Sequence, residues 1–274
     1  MTAATAVAVA TVVKFKQDRS ARLAAGIAFW AFFAVFPLFL VLVSLLGLFL
    51  PDSTRSEVMH NVAALFPLID PDNAGGLTGS VWSIVAGTAT ALWSGTQLMR
   101  SAEFAFNSAW EIPAVERPGI AEQMKRALLA LSTVGLGLVV SALLSGLVTG
   151  RSSDVYLGAA GKGLGYLVSA ILDVGLFLLA FRILTDRRIT FRQVLPGAVL
   201  SGMSFWLLEL VSSLVISRRL HDAQPTYGHF ATVITILWWF YLHALITLLG
   251  SQLNVVLHLR SGERGRSSRR GRAG

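Results

Sequence analysis

Residues 23–50 read LAAGIAFWAFFAVFPLFLVLVSLLGLFL, and no charged side chain interrupts them. A helix needs about 20 mainly apolar residues to cross roughly 30 Å of hydrocarbon. This stretch is long enough to span a bilayer and too uniformly apolar to be one face of a soluble helix. Lys14, Lys16, Arg19 and Arg22 stand just before it. Residues 1–13 are apolar but short, and their positive charges follow rather than precede them, so a cleaved signal peptide is not expected.

Five further stretches match the first in kind, at about residues 80–98, 127–149, 163–184, 194–217 and 232–257. The composition agrees: 54% of residues are hydrophobic, 14% are charged, and the mean hydropathy is +0.64. A soluble domain carries about 25% charged residues. The prediction is an all-α polytopic membrane bundle: one six-span membrane domain over residues 1–258 and a disordered basic tail over 259–274. The tail is almost wholly Gly, Ser and Arg, with little to bury.

Charge sets the orientation. The N-terminal segment carries the four cations named above. The second loop has Arg100, Arg117, Lys125 and Arg126, and the fourth has Arg182, Arg187, Arg188 and Arg192. The tail has Arg260, Arg264, Arg266, Arg269, Arg270 and Arg272. The first, third and fifth loops hold only five of the chain's 23 Lys and Arg residues. Positive loops stay inside, so both termini are expected in the cytoplasm of a multi-pass protein of the bacterial inner membrane. The net charge of +8 then faces anionic lipid. No nucleic-acid partner is expected, because the tail arginines have no aromatic platform among them. A homo-oligomer or an envelope-protein partner stays open.

Soluble chemistry is not visible. Cysteine is absent, which excludes disulfides, thiolate nucleophiles and cysteine metal centres. No Walker loop, GxGxxG, GxSxG or HExxH occurs. His60, His221, His229, His243 and His258 form no HxH or HxxxH pair. Asp70 and Asp72 flank Pro71 and, with His60, read as a solvated acidic turn in preference to a cation site. No metal, cofactor or catalytic residue is predicted, and an enzyme is not expected.

Two loop segments have helical amphipathicity. After Ser53, the residues Val58, Val62, Leu65 and Phe66 share a face; on the other side Met99, Ala102, Phe106, Ala109 and Trp110 do the same. Both are expected to lie in the interface as separate helices.

Inside the spans, residues three or four apart share a face. The fourth span carries Gly161, Gly165, Ser169 and Asp173. The sixth carries Thr235, Trp239, His243, Thr247, Gly250 and Asn254, and the fifth contains Glu209. A carboxylate at mid-membrane costs at least about 2.5–3.5 kcal/mol, so Asp173 is expected to face protein or a cavity. Asp173, Glu209, His243 and Asn254 form the candidate intramembrane polar site. One reading is a proton relay, ion site or headgroup contact; the other is structural hydrogen bonding inside the bundle. Pro37 in the first span predicts a kink or a helix broken in two, an arrangement that transporters use to build sites.

Several blocks, in order, resemble the YihY/BrkB family of bacterial inner-membrane proteins, formerly labelled the ribonuclease BN family. They are Asp18-Arg19; Ala24 to Trp30 leading to Phe36-Pro37; Leu92-Trp93-Ser94; Phe106-Asn107-Ser108-Ala109-Trp110; Arg182 with Asp186-Arg187-Arg188; Val194-Leu195-Pro196-Gly197-Ala198; Tyr227-Gly228; and Trp238 through Gly250 to Asn254. They run from about residue 14 to 258. Phe29-Trp30 and Ala34-Val35 depart from the Tyr and Ser often found there. The resemblance implies six spans. Members have carried ribonuclease and serum-resistance or virulence-factor labels, and transporter-like roles, including movement of envelope lipids, have been suggested. The expected function is a transporter-like protein handling a lipid or other envelope component. The alternative is a non-transporting scaffold or envelope-assembly factor. A membrane-tethered nuclease finds no support in these residues, since nothing would activate water.

Overall fold

The computed structural model describes residues 2–49, 81–149, 158–219 and 228–270. The predicted interfacial segment after Ser53, the Asp70–Asp72 turn, His60, His221 and Tyr227 lie outside the described residues. Those described are entirely helical: α1 (Ala3–Gln17), α2 (Ser20–Phe49), α3 (Val81–Ala109), α4 (Ile120–Thr149), α5 (Gly158–Ile183), α6 (Phe191–Arg219) and α7 (Gly228–Arg270), with a 3-10 turn at Ala114–Glu116. Among them, Ser20–Leu38 and Val233–Ser261 are long and apolar enough to cross a membrane by length and composition.

Local chemistry sets the helix ends. Thr2 caps α1 through its side chain, which accepts from the Thr5 N–H at 3.4 Å. Asp18 closes α1, and Arg19 takes φ 52 before α2 begins, a left-handed conformation that costs a non-glycine residue about 1 kcal/mol. Glu111 repeats this after α3, with φ 54. At the start of α6 the Gln193 side chain reaches back to accept from the Thr190 N–H at 2.8 Å, half of a capping box.

The helices form a closed ring. Consecutive helices α2 to α7 each pack on the next, and α7 returns to pack on α2; α1 lies against α7. Small residues permit the tightest crossings. A Cβ on Gly197 would sit 2.1 Å from the Gly250 carbonyl oxygen, and one on Gly250 would sit 2.6 Å from the Gly197 oxygen. The Gly197 N–H, one residue past Pro196, donates to Asn254 Oδ1 at 2.7 Å. Proline opens the preceding turn, so an acceptor from another helix can reach that N–H. Among the described residues, the buried apolar core includes Phe106, Phe181, Leu184, Val194, Leu248 and Val255.

Three expectations need correction. Residues 99–109 are not a separate interfacial helix; they continue α3 without a break. Their apolar face meets protein rather than headgroups: Phe106 packs edge-to-face on Phe181 at 5.0 Å. Residues 259–270 continue α7 to Arg270 where a disordered tail was predicted, and Arg260 Nη2 donates to the Ala6 carbonyl at 2.7 Å. Arginine is a good helix former, which the tail's low apolar content concealed. Pro37 sits inside one continuous α2 and is buried, so the helix is not split into two pieces.

Candidate functional site

Between the helices of the ring lies a cavity of about 310 Å³ to which all six contribute. Ile27 (α2), Met99 (α3), Val134 (α4), Phe177 (α5), Phe205 (α6) and Trp239 (α7) represent them on its wall, which is largely apolar. Its ionisable lining comes from Asp173 and His243. Asp173 is buried, as is Ser169 one turn earlier.

His243 is held by its own helix and by aromatic rings. Its Nδ1 lies 2.8 Å from the Trp239 carbonyl oxygen. A carbonyl only accepts, so Nδ1 carries the hydrogen and a neutral ring leaves Nε2 as an acceptor. Nε2 is buried and has no hydrogen-bond partner among the described residues. Phe205 and Trp239 pack edge-on against the ring at 4.3 and 4.6 Å. The arrangement presents a carboxyl and an imidazole acceptor in an apolar chamber.

The other predicted site residues fall elsewhere. Asn254 does not line the chamber; it is used at the α6–α7 crossing. Glu209 lies on α6, and its side chain is outside the described residues. Of the family-motif residues, Trp93 packs edge-to-face on Trp30 at 5.4 Å. The Ser94 hydroxyl donates to the Thr90 carbonyl at 2.8 Å. The Arg182 guanidinium lies 4.0 Å over the Phe191 ring, and Trp238 is exposed.

One end of the ring is polar and tightly connected. Asp186, with its side chain 1% exposed, accepts from Arg126 and from Asn107 Nδ2 at 2.5 Å. Asp18 accepts from Gln252 Nε2 at 2.8 Å and pairs with Lys14 at 3.1 Å. Lys14 also meets Glu111 at 2.6 Å. Burial lowers the Lys14 pKa, but Glu111 and Asp18 outweigh it and hold the ammonium above its ordinary value. Arg187 stands over Trp110, which also packs against His258. The basic segments before α2, between α3 and α4, between α5 and α6, and late in α7 thus meet at one place.

Glu103 sits at this end and was missed in the sequence. It is 4% exposed, and its Oε1 has no hydrogen-bond partner among the described residues. Burial, then the nearby Asp186 charge, pushes its carboxyl up to about 7, against the opposing pull of Arg126, Arg100 and Arg117. The signal was present: 99, 103, 106 and 110 follow helical spacing, so Glu103 shares the buried face of Met99, Phe106 and Trp110. Glu103 lines a second cavity, of about 260 Å³, with Arg100 and Arg117. No cluster of three or more His, Asp or Glu side chains able to hold a metal occurs among the described residues.

The profile of the family described as Virulence factor BrkB matches residues 11–273. Among curated relatives, the ribonuclease-like protein YfkH of Bacillus subtilis is 26% identical over 64% of this chain and 65% of its own length. A UPF0761 membrane protein of Idiomarina loihiensis is 28% identical over 58% of this chain and 56% of its own. Another UPF0761 membrane protein, from Pseudoalteromonas translucida, is 27% identical over 58% and 53%. The matched regions therefore span between half and two thirds of these relatives. No solved structure matches.

Proposed function

The chain belongs to the BrkB family and is a helical membrane protein, and on that premise we propose that it is a six-span, transporter-like protein of the bacterial inner membrane that handles a lipid or another envelope component. Each helix from α2 to α7 is at least 26 residues long, more than the roughly 20 that a span requires. The Arg260–Ala6 hydrogen bond keeps the start of the chain beside the late part of α7. The basic segments gather at that end, which supports a cytoplasmic location for both termini. No enzymatic step is proposed.

The observation that carries this reading is the chamber inside the ring, walled by six helices and bearing Asp173 and His243. Ionisable groups inside a membrane bundle are costly to keep and mark pathways. An apolar chamber with a few polar groups suits an amphipathic cargo better than a bare ion. The test is Asp173→Asn, which preserves shape while removing the charge. The variant is expected to insert and melt like the parent in detergent, yet to fail in complementing a deletion strain. Full complementation by Asp173→Asn together with Glu209→Gln would end the reading.

A further inference from the structure

The cavity beside Glu103 is separate from the central chamber and carries both signs of charge. Its wall includes Trp30, Gln97, Arg100, Glu103, Arg117 and Gln123. At about 260 Å³ it is smaller than the roughly 300–1,000 Å³ typical of drug-sized ligand sites, and it is on the scale of a headgroup.

The state of each charged group narrows the ligand. Glu103 Oε1 is buried and unpartnered among the described residues, so this carboxyl is not consumed by a structural hydrogen bond. The cations nearby are not equivalent. Arg126 is committed to Asp186 and Glu122. Arg117 spends Nε and Nη2 on the Ile112 carbonyl, at 3.3 and 3.1 Å, leaving Nη1 for another acceptor. Arg100 makes no hydrogen bond among the described residues. A simple anion entering here would meet Glu103, and a simple cation would meet two guanidiniums. A molecule carrying a phosphate and an ammonium a few ångströms apart satisfies both. The ammonium must keep its N–H donors to serve Oε1; a quaternary ammonium has none.

We propose that this cavity binds the phosphoethanolamine class of zwitterion, with Arg100 and Arg117 taking the phosphate and Glu103 taking the primary ammonium. The source is either an aminophospholipid headgroup or free phosphoethanolamine. The inference goes beyond the reading above, because binding here is measured without transport and without Asp173.

The site also has a pH signature. The charged groups acting on Glu103 are Arg100 on its own helix, Arg117 in the following loop, Arg126 on α4 and Asp186 between α5 and α6. Burial and Asp186 hold the carboxyl at about 7. An ammonium binds the ionised form, so its affinity rises as pH increases through that value. An anion bound alone prefers the protonated form and behaves in the opposite way.

The experiment uses the full chain in detergent, titrated calorimetrically at pH 6 and pH 8 with dihexanoyl phosphatidylethanolamine, phosphatidylcholine and phosphatidylglycerol, and with free phosphoethanolamine. The ethanolamine lipid is expected to bind about tenfold more tightly than the other two at pH 8, the scale of one charge-assisted hydrogen bond. That preference is expected to weaken at pH 6 and to vanish in Glu103→Gln. Arg100→Gln is expected to weaken the ethanolamine and glycerol lipids alike. Free phosphoethanolamine binding as well as the lipid assigns a soluble ligand; binding by the lipid alone assigns a bilayer headgroup. Equal affinity for the three lipids, tightest binding of phosphatidylglycerol, or affinity that rises as pH falls would overturn the proposal. The pH series on the unmodified protein decides the matter even if Glu103→Gln fails to fold.

Discussion

Asn107 grips Asp186 at two points although 79 residues separate them: its Nδ2 donates to the carboxylate at 2.5 Å, and its Oδ1 accepts from the Asp186 backbone N–H at 2.8 Å. One amide side chain at the end of α3 thus fixes both the position and the orientation of the α5–α6 turn, and Arg126 from α4 neutralises what the turn presents. Asp186→Ala leaves Arg126 and Asn107 without their partner and is expected to cost about 3 kcal/mol. Asn107→Ala is expected to cost about 2 kcal/mol. The pair sits in one network, so the double variant should cost clearly less than the two losses added together. Thermal unfolding in detergent measures all three, and strict additivity would show that the contact carries no coupling.

Glu103 makes stability depend on pH in a definite direction. Its carboxyl titrates near 7 in the folded chain, above the ordinary glutamate value of about 4.3. The folded state therefore holds this proton more tightly than the unfolded state. Its stabilising contribution is complete below about pH 4.3 and is lost as pH rises through 7. Against Glu103→Gln, the parent is expected to lose about 2 kcal/mol of relative stability between pH 5 and pH 8. Parallel melting curves across that range would show that the carboxyl is not perturbed.

The α6–α7 crossing has no room for a methyl group. Gly197→Ala and Gly250→Ala each place a Cβ 2.1 Å from a neighbouring oxygen, and each is expected to destabilise by about 1–3 kcal/mol or more. Gly135→Ala is the control: nothing lies within 4 Å of its added Cβ, and alanine favours helix by up to about 1 kcal/mol. A melting temperature that stays level in the first two variants would mean that the helices do not cross so closely.

Topology has its own measurement. Reporter fusions after residues 75 and 222 are expected to read as periplasmic. Fusions near residue 115 and at the C-terminus are expected to read as cytoplasmic, following the distribution of Lys and Arg. A periplasmic C-terminus would sink the six-span arrangement.

The helices were legible because apolar length is a strong signal: the stretches expected at 127–149 and 194–217 became helices 120–149 and 191–219. What failed was the assignment of faces. Met99, Phe106 and Trp110 have the same spacing whether they meet headgroups or protein, and the partner that decided the matter, Phe181, lies far along the chain. Asp173 stood out because a carboxyl inside an apolar run is costly. Glu103 did not, because beside Arg100 it reads as an ordinary interfacial charge. The use of Asn254 was invisible for a different reason: its partner is the backbone N–H of Gly197, and no side-chain pattern announces a backbone donor.

The order of the ring bears on how the chain is built. Helices α2 to α6 each meet their predecessor, so during synthesis every new helix finds its neighbour already made. α7 reaches back furthest along the sequence, to α2 and α1, where Gln252 donates to Asp18 and Ser20 and Arg260 donates to Ala6. Until that last helix emerges, α2 has one side unsealed and the Asp18 carboxyl has no partner from the far end of the chain. Closure of the ring thus waits for α7, and a nascent chain stalled before it remains an open arc.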